Sequence, residues 1–374
     1  MQSIVVTNAA GKTFAALIKD GRAVSLIEDC HEVDDRFAVG NIFRGRVKKI
    51  MPGLKSASLD LGSRDGFLYL EGDTVPQVGE SLPVQITHAA TGKKSARIST
   101  RLVVPLRTVL LLPQSSGTVN VSRKIAENEA ARLKQIGQEL CPTGFGLVIR
   151  TAALNEDKAR IAADIAEGQA VYKNILAKFA AAKRPTLLYD GGSLLNRILR
   201  DTFTEAIDEL VTDDEALFAE AKTTLNAALP HLAARLHFYE SDEPLFERYN
   251  LSAVLRQRDE RTFSLPSGGF IVIDPTEALT AIDVNSGSFS ASTPEETIRR
   301  TNMEAAAELM RQLRLKNVGG IIVVDFIDMK SPKDREELLD ELRRLSVADN
   351  GRTTVVDITP LGLVELTRRR GVAL

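Results

Sequence analysis

Two apolar runs that each finish in an aspartate, joined by a well-capped helix, constrain this chain more than any other feature. Ala278-Leu279-Thr280-Ala281-Ile282 reaches Asp283, and Val284-Asn285-Ser286-Gly287 follows. Gly320-Ile321-Ile322-Val323-Val324 reaches Asp325. Between them, Thr293-Pro294-Glu295-Glu296 predicts a capping box with proline at the first helical position. Ile298, Ala305, Leu309 and Leu313 then share one helical face. Asn317 to Gly320 stop the helix, with Arg311, Arg314 and Lys316 at its negative end. A strand–helix–strand unit implies parallel strands, so both aspartates are expected at one sheet edge, where ligands of open α/β sheets gather.

The chemistry at that edge is oxygen-only, with no cysteine or histidine nearby. It suits a hard cation such as Mg²⁺, with Mn²⁺ as a substitute. One strand-end aspartate is most often a turn former or the next helix's cap. Two on successive parallel strands, with Asn285 two residues beyond the first, weaken that reading and leave a metal site and a turn or capping role equally open on pattern alone. Asp328 is read as a turn cap, and Asp274 and Asp357 are left unassigned.

At 374 residues the chain is too long for one ordinary core. Its 44 % apolar content contains no long apolar run, so no membrane span, secretory or transit signal is expected and the compartment is read as cytoplasmic. Cys30 and Cys141 are isolated, which excludes a disulfide framework or a cysteine zinc site within one chain. A net charge of −2 gives no global attraction for nucleic acid. Such binding would have to use local patches: Arg44, Arg46, Lys48 and Lys49; Lys93, Lys94, Arg97 and Arg101; or Arg368, Arg369 and Arg370.

Residues 1–36 predict a β meander with a hairpin turn at Asp20-Gly21. From Val39, short strands punctuated by Gly45, Gly62 and Gly66 predict a small twisted barrel, with Phe43 and Tyr69 expected in its packing. Residues 101–190 alternate strand (Val109 to Leu112), helix (Ile125 to Leu140), strand (Gly146 to Arg150) and a long helix begun at Asn155-Glu156-Asp157. A helix is expected from Asp214 to Leu229. After Asp325 come a helix started by Ser331-Pro332, a strand from Thr353 to Ile358, and a last helix started by Thr359-Pro360.

The words FERYNL (246–251), TEALTAIDVNSG (276–287), TNMEAA (301–306), RQLRL (311–315), GGIIVVDFIDM (319–329) and LGLVELTRRR (361–370) occur in this order. Residues 245–369 thereby resemble the catalytic end of the ribonuclease E/G family of bacterial endoribonucleases, and weaker similarity covers nearly all the rest. The resemblance implies an α/β protein of several subdomains. An S1/OB-fold RNA-binding barrel (37–100) and a 5′-sensor region (101–190) would be inserted into a ribonuclease-H-like subdomain (1–36 and 191–258). A deoxyribonuclease-I-like α/β catalytic subdomain (259–374) would follow. It implies that Asp283 and Asp325 hold catalytic Mg²⁺ and that Asn285 supports the reacting phosphate or water. Phe67 would stack on RNA and Lys94 would contact it, while Ser58 replaces the family's other stacking phenylalanine. Arg150 and Thr151, with Arg352, match the pocket that senses a 5′-monophosphate, an arrangement with sound phosphate chemistry. There Leu106 replaces a glycine and Leu110 a valine, so a leucine is expected to crowd the phosphate.

The function implied is Mg²⁺-dependent cleavage of single-stranded RNA in processing or decay, leaving 5′-phosphate and 3′-hydroxyl ends, with single-stranded or structured RNA as the partner bound. The family's cysteine pair that shares zinc between subunits has no counterpart before Leu374. No zinc is therefore expected, and a homo-oligomer would form through other surfaces. The rival reading is an RNA-binding protein of the same fold with little or no cleavage; the altered sensor and Ser58 favour it, and the intact aspartates oppose it. A metabolic α/β enzyme is disfavoured, because no Gly-x-Gly-x-x-Gly nucleotide loop is present and the barrel would be unexplained.

Overall fold

The computed structural model describes residues 1–30, 35–70, 75–88, 90, 95–115, 117–288, 293–347, 349 and 352–369. The chain divides into two compact units, Met1–Glu28 with Glu205–Leu374, and Asp29–Thr204. Both mix helices and strands.

The first unit holds two sheets. One orders its strands Leu236–Phe238, Glu209–Thr212, Gln2–Ala9, Lys12–Lys19, Arg22–Cys30. The hairpin turns fall at Ala10-Gly11 and Asp20-Gly21, all four residues at positive φ, as the right-handed twist of tight hairpins demands. The short helices Leu245–Arg248 and Leu251–Gln257 cover this sheet, with the Phe14 and Phe246 rings 4.9 Å apart.

The other sheet runs Thr262–Ser264, Phe270–Pro275, Leu279–Asn285, Gly320–Asp325, Val364–Arg368, Thr353–Ile358. The helices Pro294–Leu315 and Pro332–Val347 supply the apolar stripes that pack against its buried residues, among them Ile271, Ile282, Val284, Ile322, Val324 and Leu366. Thr293 caps the longer helix, its hydroxyl accepting from the Glu296 N–H at 3.2 Å.

The expected last helix does not form. Thr359 donates its N–H to the Leu363 carbonyl, Gly362 turns at φ +87°, and Val364–Arg368 returns as a strand. Val364, Leu366 and Arg368 are buried while Glu365 and Thr367 are exposed, and this period of two outweighs the Thr-Pro start signal. Arg368 therefore serves the fold and not a phosphate. Its guanidinium donates to both Asp349 oxygens (2.8 and 3.0 Å) and to the Val318 carbonyl (2.6 Å). Arg370 lies outside the described residues.

In the second unit, Ile42–Met51, Ser56–Asp60, Asp65–Tyr69, Ala96–Ser99 and Ser81–His88 pair in that order, and the last pairs back onto the first. The result is a closed five-stranded barrel with strand order 1-2-3-5-4-1, consistent with an S1/OB-like region. Gly45 and Gly66 lie where a Cβ would meet core side chains at 3.0 and 2.8 Å, which explains their place in the alternating strands. Phe43 packs inside as expected, stacked on Phe37. Tyr69 does not: it is 48 % exposed, because it shares the outward face of its strand with Phe67 while Gly66 and Leu68 point in.

Beside the barrel, a sheet of Val119–Val121, Phe145–Ile149, Val109–Pro113 and Val104–Pro105 is covered by helices Glu127–Leu140 and Lys158–Ala181. Among the described residues, no helix is long and apolar enough to cross a membrane. Cys141 is free, and burial pushes its thiol pKa up.

Candidate active site and RNA-facing surfaces

The Leu279–Asn285 and Gly320–Asp325 strands are parallel neighbours, and Asp283 is the register partner of Asp325. Directly paired residues share a sheet face. Ile282, Val284 and Val324 turn toward the helices, so the two carboxylates stand on the opposite, exposed face. The row continues through Val272 to Thr262. The Asn285 amide donates to Asp283 Oδ2 at 2.7 Å. Neither carboxylate has an ion-pair partner among the described residues. Two uncompensated like charges on strands about 4.8 Å apart repel, and a bound cation removes that cost. The oxygen donors therefore fit Mg²⁺, which uses one or two carboxylates and keeps waters on its other positions.

The backbone around the pair is tightly held. Gly287 sits at φ +58°, and a Cβ there would lie 2.5 Å from the Gly268 carbonyl oxygen; a Cβ on Gly269 would lie 2.6 Å from that of Asn285. Only glycines allow the two turns to approach so closely. Glu304 Oε2 accepts from the Ser267 N–H at 2.8 Å, tying the Gly268 turn to the helix. Burial pushes the Glu304 pKa up, but the Ser267 hydrogen bonds and Arg300 outweigh it, and the net shift is down.

Beyond Asp325, the buried Asn302 side chain donates to the Ile327 carbonyl (2.8 Å) and accepts from the Ile327 N–H (3.1 Å). This two-point bridge fixes the chain where it leaves the carboxylate. Sequence reasoning assigned Asn302 no role, although a signal was present. At steps of four and three from Ile298 and Ala305 it interrupts the helix's apolar stripe, and a buried amide there must find partners. Asp328 is exposed beside the Gly362 turn. Asp274 pairs with Arg261, and Asp357 accepts from the Ile358 N–H.

On the barrel, Phe67 is half-buried and directly opposite Ser58 on one side and Arg97 on the other. Lys94 and Lys93 lie outside the described residues. In the first basic patch, Arg44 donates to the Phe179 carbonyl (2.6 Å), Arg46 to that of Gly79 (3.3 Å), and Lys48 pairs with Asp65 (2.9 Å). Lys49 makes no ion pair among the described residues.

Arg150 and Thr151 belong to the second unit and Arg352 to the first. The Arg150 guanidinium is already engaged, with Asp201 at 2.7 Å and the Leu106 carbonyl at 2.6 Å. Asp201 is shared with Arg200 at 2.8 Å. Leu106 is buried and faces Gly168, where a Cβ would lie 2.8 Å from Leu106 Cδ2, so its side chain joins the unit's core. Asp201, more than Leu106, competes for Arg150. Arg352 is half-buried without an ion pair among the described residues, and burial and the nearby Arg368 press its pKa down.

The fold and site define the class as an α/β protein with an OB-like barrel and a sheet that presents paired strand-end carboxylates. The model of the ribonuclease E/G family matches residues 104–371. The chain is 35 % identical to ribonuclease E of Nostoc sp. over 352 residues, 89 % of this chain and 51 % of that protein. It is 33 % identical to ribonuclease G of Salmonella typhimurium and 32 % to ribonuclease G of Escherichia coli K12, each over 359 residues, 90 % of this chain and 73 % of theirs. It thus spans about half the length of the ribonuclease E and three quarters of the ribonucleases G. The chain belongs to the ribonuclease E/G family.

Proposed function

We propose that this chain is a Mg²⁺-dependent endoribonuclease acting on single-stranded or structured RNA in processing or decay, in the cytoplasm, and leaving 5′-phosphate and 3′-hydroxyl ends. The observation that carries the reading is the uncompensated, in-register pair Asp283 and Asp325 on the exposed face of the sheet. These two would hold the ion. Mg²⁺ or Mn²⁺ bound there supplies Lewis acidity, lowering the pKa of a water and offsetting charge on the phosphate. Asn285 orients Asp283 through its amide N–H and leaves its carbonyl oxygen to accept from the attacking water. Asn302 holds the backbone after Asp325, and Gly269 and Gly287 let the adjoining turns close.

The residue ranges expected from sequence become roles under this reading. Residues 37–100 grip RNA, 101–190 meet the 5′ end, 1–36 with 191–258 form a ribonuclease-H-like support, and 259–374 form the deoxyribonuclease-I-like catalytic part. The family names of the relatives and the intact carboxylate pair favour cleavage over the rival reading of RNA binding alone.

The test is a 5′-labelled single-stranded RNA incubated with the protein, with Mg²⁺ or with EDTA, and the product ends mapped. Internal cuts with 5′-phosphates in Mg²⁺ and none in EDTA support the reading. Stable binding without cutting in either condition selects the binding-only alternative.

A further inference from the structure

We propose that Tyr69 and Arg97 form, with Phe67, a composite platform on the barrel that stacks a base of single-stranded RNA and neutralises its neighbouring phosphate. This rests on the reading of the chain as an RNA-acting protein; it adds Tyr69, which the sequence placed in the barrel's packing, and gives Arg97, until here one member of a basic cluster, a definite place. Register pairing aligns Lys49, Ser58, Phe67 and Arg97 in one row across four neighbouring strands. Side chains at paired positions share a face, so the row presents cation, small hydroxyl, aromatic ring and cation in sequence. Ser58, opposite Phe67, leaves this row with a single ring and no second one beside it.

Tyr69 supplies a second ring from another direction. It lies two residues along the same strand, on the same outward face, 48 % exposed. Its ring meets Phe67 edge-on, with centroids 5.0 Å apart and planes at 78°. The Arg97 guanidinium carbon sits 5.0 Å from the Tyr69 centroid. The Phe67 and Tyr69 rings thus brace each other, and the cation–π contact holds the charge of Arg97 beside the aromatic surface. Exposed aromatics interleaved with cations are the general means by which barrels of this type hold single strands: rings take any base face and cations follow the backbone. Neither Arg97 nor Lys49 is tied up in an ion pair among the described residues, whereas Lys48 is. In a chain of net charge −2, unpaired cations beside exposed rings mark the surface where a polyanion is favoured.

The experiment measures binding of a fluorescent single-stranded RNA to the full chain in EDTA, for wild type, Tyr69→Ala, Tyr69→Phe and Arg97→Gln, with thermal melting of each preparation. The platform predicts that Tyr69→Ala weakens affinity about fivefold or more and that Tyr69→Phe stays near wild type. Arg97→Gln should weaken affinity and flatten its salt dependence, with little change in melting for any variant. Unchanged affinity in both Tyr69→Ala and Arg97→Gln overturns the proposal. So does an affinity loss that only tracks a fall in melting temperature. Because binding is read without metal, the result is independent of cleavage. A weakened Tyr69→Ala in a protein that never cuts RNA leaves the platform standing and removes the nuclease reading. A protein that cuts RNA but binds it independently of Tyr69 and Arg97 does the reverse.

Discussion

At the scale of single residues, the site depends on groups that shape others as much as on those that face substrate. Asn302 is the clearest case. Asn302→Ala strands the Ile327 N–H and carbonyl in a buried place, at about 1–3 kcal/mol for an unsatisfied group. The expected result is a protein that still folds and binds RNA near wild-type affinity while its cleavage rate falls. Equal losses in binding and rate would assign Asn302 to the fold alone. Arg150 illustrates the opposite situation, a residue with the right chemistry whose charge is already answered by Asp201. A preference below about tenfold for 5′-monophosphorylated over 5′-hydroxyl RNA is expected, equivalent to about 1.4 kcal/mol. Asp201→Asn should raise that preference by freeing the guanidinium, and Arg150→Ala should abolish it; paired oligonucleotides differing only at the 5′ end read both. The same carboxylate sets an acid limit. Burial raises the Asp201 pKa, but the Arg200 hydrogen bonds and the charges of Arg200 and Arg150 bring it below the ordinary 3.8. A depressed carboxylate stabilises the fold above the unfolded value, and this is lost as pH falls through the folded one. Melting temperatures of wild type and Asp201→Asn should therefore converge below about pH 4.

At the scale of elements, turn geometry and strand alternation decide where the carboxylates end up. Gly287→Ala forces a side chain into positive φ and against the Gly268 carbonyl. A destabilisation above about 1 kcal/mol is expected, with loss of cleavage exceeding the loss of folded protein in a combined melt and activity measurement. The strand–helix–strand unit was legible because every local signal agreed: capping box, apolar stripe, helix stop and two apolar runs. The final strand was not, because Thr359-Pro360 imitates a helix start. Only the alternation of Val364, Leu366 and Arg368, with a charged residue on the buried side, reveals the strand. A buried arginine is legible once its partner is known, and Asp349 is distant in sequence. Asp349→Ala should cost about 3–5 kcal/mol by leaving Arg368 buried and unpaired, visible as a large drop in denaturation midpoint.

At the scale of the whole molecule, the proposed function requires a net charge of −2 to coexist with binding a polyanion, so few and local contacts are expected. Lys49, Arg97 and Lys94 would give a log–log salt slope on the order of −2 for single-stranded RNA, at about −0.7 per phosphate. A slope of about −5 would require a further basic surface. The barrel's existence was readable from its glycines, but the outward place of Tyr69 was not. Which residues of an alternating strand face out depends on register, and Tyr69 was misplaced for that reason. The carboxylate pair was readable from both strand ends, and its supports at Asn302, Gly269 and Gly287 were not, because they act across turns. The central claim is that Asp283 and Asp325 jointly hold the ion that cleavage needs. The most direct measurement compares Asp283→Asn and Asp325→Asn with wild type, scoring RNA affinity and cleavage in Mg²⁺ on the same preparations. The account predicts cleavage abolished in each mutant with affinity unchanged or slightly tightened as a negative charge is removed. Near wild-type cleavage by both mutants would contradict it.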